Sequence, residues 1–354
     1  MSKAVTFWLP GLLNPQRLNE AADAFEQVSL PNLQTLLKKA DRFPLMEVNG
    51  QNKRDFYATA SQLFHQTGTL PVAACTAATC LTDFDASAFW IKLDPVQLIP
   101  DRDTLVLFPA NELAIEESEA KALIQTFNHH FEQDRIEIEY GTPSDWFMRI
   151  RQPVDIHSHT IDQVAYQSIE GFYPSGHAAQ QWRQLLNEAS MLFFNHEVNE
   201  KRRLQGLPEI NGLWLWGEGQ LRLNEIIQRP QAVIWSENPY LQGMAKLCNS
   251  TAQPFPHTEQ AWSEAGLKEW LASGDHHLFM PESLHQTLHQ QTQQEWLESL
   301  QWLEKYWMTA LLNMVKSGAI SSLLLEVGDG YRYHLKPAHL KRFWRIRNRI
   351  KANL

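Results

Sequence analysis

Cysteine is scarce in this 354-residue chain, and its scarcity excludes several chemistries. Three are present, Cys75, Cys80 and Cys248. The number is odd, and no pair has the Cys-x-x-Cys spacing from which redox and zinc sites are built. Reduced thiols in a cytoplasmic protein are the simple reading. No apolar run approaches the ~20 residues that cross a bilayer, so no transmembrane segment is expected. The opening stretch MSKAVTFWLPGLL lacks an apolar run followed by a small-residue cleavage site, and secretion is not expected. Positive charge is not in excess either. A formal net charge of −9 argues against nucleic-acid binding over the whole surface. Internal repeats and low-complexity tracts are absent.

What the chain does have is tryptophan, 13 residues of it, and a 44% hydrophobic composition sufficient for one large or two smaller domains. Trp296, Trp302 and Trp307 fall on helical periodicity and are expected in the core. AVTFWLPGLL reads as a first strand stopped by Pro10-Gly11, and PNLQTLLKKA as a helix begun by Pro31. GTLPVAACTAATC, small and apolar, reads as a buried strand-to-helix junction.

From residue 88 the texture changes. AFWIKLDPVQLIPDRDTLVLF predicts two strands around Asp101-Arg102-Asp103. SEAKALIQTFNHHFEQ predicts an amphipathic helix with Ala120, Leu123, Ile124, Phe127 and Phe131 on one face. RIEIEY and DWFMRIR read as further strands, which together make a small α+β subdomain. A helix over HAAQQWRQLLNEASMLFFNH then leads to a cationic turn, HEVNEKRRLQG, and to the run NGLWLWGEG. Strands at AVIWS and HHLFMP, a helix at NPYLQGMAKLC, a long helix through Trp296 and Val315, and a hairpin on Asp329-Gly330 complete an α/β rhythm.

These elements and motifs resemble the archaeal-type cofactor-independent phosphoglycerate mutases of the alkaline phosphatase superfamily. More narrowly they resemble a proteobacterial branch labelled RpfE-type regulatory proteins. The resemblance is carried by Pro174-Ser175-Gly176, His196-Glu197-Val198-Asn199, Arg203, Gly206, Pro208, Asn211, Trp214-Leu215-Trp216-Gly217 and Gly219. It continues through VIWSENPYLQGMAKL, and WIKLDPVQL stands where the family has an Arg-Cys-Asn run. The fold it implies is α/β, a three-layer alkaline-phosphatase-like sheet domain of residues 1–87 and 156–354. A small α+β cap is inserted at 88–155. The tryptophans of NGLWLWGEG are expected to pack where cap and main domain join.

The resemblance also implies a serine nucleophile and two divalent metals that neutralise phosphoryl charge. The family's first strand ends in an Asp-Gly metal ligand, where this chain has Phe7-Trp8-Leu9-Pro10-Gly11. Its nucleophile lies in Pro-Pro-Gly-Ser, where this chain has Leu70-Pro71-Val72-Ala73-Ala74-Cys75-Thr76. Its C-terminal ligands have no match in FMPESLHQTLH or LEVGDGYRYHL, although Glu282, His285 and His289 share a helical spacing. These three losses predict a catalytically degenerate protein with no metal or other cofactor. A regulatory or ligand-binding role in the ancestral cleft between main domain and cap is expected. The alternative is a rewired phosphatase or phosphomutase acting on a small phosphorylated metabolite, so whether the chain is an enzyme stays open.

The candidate anion-binding residues are Lys92, Asp94, Arg149, His196, Asn199, Arg203 and Trp216. Arginine forks near the end of a helix suit phosphate or carboxylate, but the same cations complement a helix C-terminus with no ligand at all. Asp155, His157 and His159 could bind a transition metal on a strand or lie in a solvated loop. After Asp329 the chain carries no acid, and its basic residues are interleaved with Tyr333, Phe343, Trp344 and Ile350. The expected partner is a small anionic metabolite or a protein. Contact of this tail with nucleic acid or an anionic membrane competes with pairing to the protein's own surface.

Overall fold

The computed structural model describes residues 3–13, 18–19, 22–26, 28–45, 55–256, 264–282 and 293–345. The chain divides into two compact units, Met1–Thr69 with Ile226–Leu354, and Leu70–Glu225. The second unit contains the 88–155 segment and also takes residues 70–87 and 156–225. Strands β1 (Ala4–Trp8) and β2 (Asp41–Pro44) lie in the first unit. Strands β3 (Phe89–Asp101), β4 (Thr104–Phe108), β5 (Ile138–Tyr140), β6 (Trp146–Ile150) and β7 (Gly212–Gln220) belong to the second. The chain returns to the first unit with β8 (Ala232–Trp235), β9 (Thr251–Gln253), β10 (His276–Phe279), β11 (Ser322–Glu326) and β12 (Tyr331–Leu335).

In the first unit these strands form a seven-stranded sheet in the order β2-β12-β11-β1-β10-β8-β9. β11, β1, β10, β8 and β9 run parallel, and β12 is antiparallel to both its neighbours. Successive side chains alternate faces. Val5 and Phe7 point into a core with α1 (Pro31–Lys39), and with Trp296, Trp307 and Leu311 of later helices. Phe7 meets Trp307 edge-on at 5.4 Å. Buried Glu304 accepts from the backbone N–H groups of Asn32 (2.5 Å) and Leu33 (2.9 Å), which satisfies the otherwise orphaned first turn of α1. On the other face Trp8 stacks on Phe56 of α2 (Phe56–Leu63) at 4.6 Å. Helices on both faces make three layers. Trp302, expected in the core, is instead 37% exposed, its ring edge against Trp307 on the outer side of its helix.

The second unit is a five-stranded antiparallel sheet built around the long β3, which pairs with β4, β6 and β7. One face packs on α4 (Glu117–His130) and α5 (Ala179–Phe194) through Leu123, Phe127, Trp182 and Phe193. The run GTLPVAACTAATC forms a helix rather than a strand-to-helix junction, α3 (Val72–Cys80). β7 explains the composition of NGLWLWGEG. Leu213, Trp214, Leu215 and Trp216 are all buried, so both faces of the strand are covered. The indoles still find acceptors, His159 O for Trp214 and Asp94 for Trp216. Gly217 has φ +67, and a Cβ there would lie 2.9 Å from the Val72 Cβ. That glycine lets the strand bulge past α3.

Candidate functional site

In open α/β sheets ligands bind beyond the carboxyl ends of the parallel strands. At that edge of the first unit, β1 runs into Trp8, Leu9 and Pro10, with Trp8 and Leu9 buried. β8 ends in Trp235, stacked on Phe279 at 5.5 Å, and β10 continues into fully buried Met280. β11 ends in Glu326, whose Oε1 accepts from Gly328 N–H at 2.8 Å. Burial pushes this carboxyl up to about 8, so it is largely protonated at neutral pH. Asp329 accepts from the Tyr333 hydroxyl at 2.5 Å and from Tyr331 N–H at 3.1 Å, and burial raises its carboxyl too. Both acids are engaged in holding the β11–β12 turn.

Two divalent cations with phosphate need several anionic oxygens and imidazoles converging on one point. Among the described residues no group of three or more His, Cys, Asp or Glu side chains is placed to hold a metal ion. The stacked aromatic and aliphatic side chains at this edge do not fit a two-metal centre. Glu282 is described, but His285 and His289 lie outside the described residues. Cys75 and Thr76 are buried on α3, where the Thr76 hydroxyl donates to the Val72 carbonyl at 2.9 Å. Cys80 and Cys248 are pushed up by burial to about 12 and about 11, the values of unreactive thiols. None of the three cysteines is bridged.

Three of the candidate residues do meet, inside the second unit. Lys92 Nζ lies 2.6 Å from Asp145 Oδ1 and 3.3 Å from Asp94 Oδ1, and 4.9 Å from the centroid of the Trp216 ring. Asp145 also accepts from the Thr142 hydroxyl at 2.7 Å. Burial pushes Asp94 up to about 6, whereas Lys92 holds Asp145 below the usual range despite its burial. Asp145 was not singled out from the sequence. Its signal was local, a Thr-Pro-Ser-Asp turn entering the strand that pairs with Lys92. The lysine's charge is already compensated, and the cluster is closed rather than poised for a ligand.

The remaining candidates stand apart from it. HEVNEKRRLQG is itself a helix, α6 (Glu197–Gln205), rather than a turn. His196 caps it, Nδ1 accepting from Val198 N–H, and its Nε2 meets the Thr126 hydroxyl at 2.9 Å. Asn199 is fully buried and brackets Ile210, accepting from its N–H and donating to its carbonyl, both at 2.8 Å. Asn211 brackets Leu98 in the same manner. Arg202, not Arg203, is the buried arginine. It binds Glu119 at 2.6 Å, Pro208 O at 2.6 Å and Leu113 O. Arg203 pairs with Glu209 at 2.7 Å on the surface. Arg149 pairs with Glu139 at 3.1 Å and lines an open groove with Arg151 and Glu132. Of the motif residues that carry the resemblance, Asn199 and Asn211 fasten the chain entering β7, and Trp214 and Trp216 anchor the strand itself.

Asp155, His157 and His159 lie in an irregular segment joined to Ser175 by a single bridge, with the His157 side chain 75% exposed. In the basic tail, Arg342 and Arg345 both bind Asp41, at 2.7 and 2.6 Å, and hold its carboxyl down to about 2. Arg347, Arg349, Ile350 and Lys351 are outside the described residues. No described helix is long and apolar enough to cross a membrane.

Comparison with known proteins agrees with this architecture. No family model matches the chain. A probable 2,3-bisphosphoglycerate-independent phosphoglycerate mutase of Geobacter sulfurreducens is 28% identical over 155 residues, 44% of this chain and 38% of the relative. The 2,3-bisphosphoglycerate-independent phosphoglycerate mutase 2 of Methanothermobacter thermautotrophicus is 29% identical over 107 residues, 30% of this chain and 27% of the relative. The chain is similar to phosphoglycerate mutases. The matches span well under half the length of those relatives. Among solved structures, the PH0037 protein of Pyrococcus horikoshii aligns over 95% of this chain and 87% of its own, at 13% identity and a TM-score of 0.57. It shares this fold. The cofactor-independent phosphoglycerate mutase of Thermoplasma acidophilum aligns over 100% of this chain and 94% of its own, at 12% identity and a TM-score of 0.46. The fold class is the expected one at the level of architecture, an α/β sheet unit with an α+β unit inserted in its sequence.

Proposed function

We propose that this chain is a catalytically degenerate relative of the phosphoglycerate mutases, a cytoplasmic bacterial protein with a regulatory or ligand-binding role. One observation carries this reading. The carboxyl edge of the parallel sheet ends in Trp8-Leu9-Pro10, Trp235 and Phe279-Met280, side chains that cannot ligate a hard cation or receive a phosphoryl group. Of the acids near this edge, Glu326 and Asp329 are engaged in the β11–β12 turn and Glu237 accepts from Phe255 N–H at 2.9 Å. The nucleophile position is a buried helix. A regulatory role is the one the RpfE-type resemblance suggests.

The test is metal content together with turnover. The untagged protein, dialysed against Mn²⁺ and Mg²⁺ and then against buffer, is expected to retain no stoichiometric metal by elemental mass spectrometry. It should also leave 3-phosphoglycerate and p-nitrophenyl phosphate unchanged. About two retained metals per chain, with phosphate release or mutase turnover, would instead establish a rewired phosphatase or phosphomutase.

A further inference from the structure

The sheet of the first unit also carries a cavity of about 740 Å³. Its floor is set by strand register. Ile234, Leu278, Thr6 and Leu324 are paired in one row across four parallel strands, so all four present the same face. The next row toward the amino ends is Ala232, His276, Ala4 and Ser322. The small side chains of Ala232, Ala4 and Ser322 in this second row leave the space, and Ile234, Leu278 and Leu324 of the first row make its floor largely apolar. This is the amino-terminal half of the strands, away from the carboxyl edge.

The walls are cationic. Arg229, Arg332, His65 and His276 all line the cavity. Among the described residues neither arginine has a carboxylate within salt-bridge distance. Arg229 donates only a long bond of 3.3 Å to Leu63 O. Arg332 donates to Gln62 Oε1 at 2.8 Å, while its Nε is buried with no hydrogen-bond partner. Its strand neighbour Glu326 is mostly protonated at neutral pH and supplies little countercharge. The His65 imidazole is held below its usual range by burial and then by Arg229, Arg332 and His276, so these groups share one field. A half-enclosed cavity with two uncompensated guanidinium groups is a mismatch in a chain of net charge −9. An anion resolves it, because guanidinium forks pair with carboxylate or phosphate oxygens at close to the spacing of their own N–H groups. The volume falls in the range of small-molecule sites, and the apolar floor asks for more than an inorganic ion.

We propose that this cavity binds a small organic anion, its carboxylate or phosphate head between Arg229 and Arg332 and its apolar body over Thr6, Leu278, Ile234 and Leu324. The site goes beyond the loss-of-catalysis reading and does not depend on it, since binding is measured without turnover.

Isothermal titration of the full-length protein with 1-naphthoate and 1-naphthyl phosphate tests the site, against uncharged 1-naphthamide and inorganic phosphate. One saturable site is expected for at least one of the two naphthyl anions, with affinity about tenfold or more above both controls. R229Q and R332Q should each weaken it by about tenfold, and the surface variant R203Q should leave it unchanged. If R332Q does not fold, R229Q and H65Q carry the test. No saturable binding of either anion, or affinity unchanged in the folded cavity variants, overturns the proposal. Release of naphthol from 1-naphthyl phosphate would count against the loss of catalysis, while 1-naphthoate, which cannot be hydrolysed, continues to test the cavity.

Discussion

The indole N–H of Trp216 donates to Asp94 Oδ2 at 2.8 Å across the β3–β7 pair, and the same carboxylate lies beside Lys92. Lys92 is 6% exposed and is the only described cation within salt-bridge distance of Asp94 and Asp145. Lys92→Met would leave two buried carboxyl groups without a countercharge. The expected loss is about 3–5 kcal/mol at pH 7 by urea unfolding. It should shrink at pH 5, where the carboxyl groups, freed of the lysine, take up protons. A loss below about 1 kcal/mol at pH 7 would show that the cluster is open to water.

Arg202 and Arg203 are adjacent in sequence and opposite in role. The Arg202 side chain is 0% exposed and joins Glu119 to the carbonyls of Leu113 and Pro208, whereas that of Arg203 is 40% exposed. Arg202→Ala should cost about 3–5 kcal/mol, because it strands a carboxylate and two carbonyls. Arg203→Ala should cost no more than about 1 kcal/mol. Comparable losses in the two variants would refute the assignment of Arg202 as the scaffold residue.

These two arginines illustrate what was legible in the sequence. Element type came from periodicity: the 88–152 strands, helix α4 with Phe127 inward, and the hairpin on Asp329-Gly330 all form where the alternation or 3.6-residue spacing places them. What spacing does not encode is which of two neighbouring polar residues turns inward. Arg202 and Arg203 differ by about 100° around a helix, and only the position of Glu119, 83 residues away, decides between them. The same holds for Lys92 and Asp94, found from the sequence, and Asp145, which was not. The cavity over Thr6 was equally hidden, since it arises from register among strands far apart in the chain. The absence of a carboxylate from Phe7-Trp8-Leu9-Pro10-Gly11, on which the expectation of lost catalysis rests, was legible directly.

Gly328 (φ +81) packs against the turn after β1 so closely that a Cβ would lie 2.2 Å from Gly11 N and 2.4 Å from Gly11 Cα. Backbone against backbone cannot yield as a side-chain tip can. Gly328→Ala is expected to cost about 3 kcal/mol or more, combining left-handed strain with overlap. Gly206, also left-handed at φ +71, has open space where a methyl would stand, with nothing within 4 Å. Gly206→Ala should therefore cost only about 1 kcal/mol, the left-handed penalty alone. Equal melting temperatures for the two variants would contradict the contact.

Glu326 sets a pH dependence whose sign is opposite to that of an ordinary surface carboxylate. Its carboxyl titrates at about 8 in the folded chain against an ordinary 4.5, chiefly because it is buried. Between those two values the folded state holds a proton that the unfolded state has released. Stability from this group is therefore fully present below pH 4.5 and is lost as pH rises toward 8, with a slope of up to about 1.4 kcal/mol per pH unit. Glu326→Gln keeps an acceptor for the Gly328 N–H and removes the titration. The melting temperature of the variant relative to the parent should climb between about pH 5 and pH 8 and level off above. A difference that stays constant across that interval would mean that Glu326 is ionised in the folded protein. Its countercharge would then have to be Arg332, and the cavity that shares that arginine would lose half of its claim to an anion.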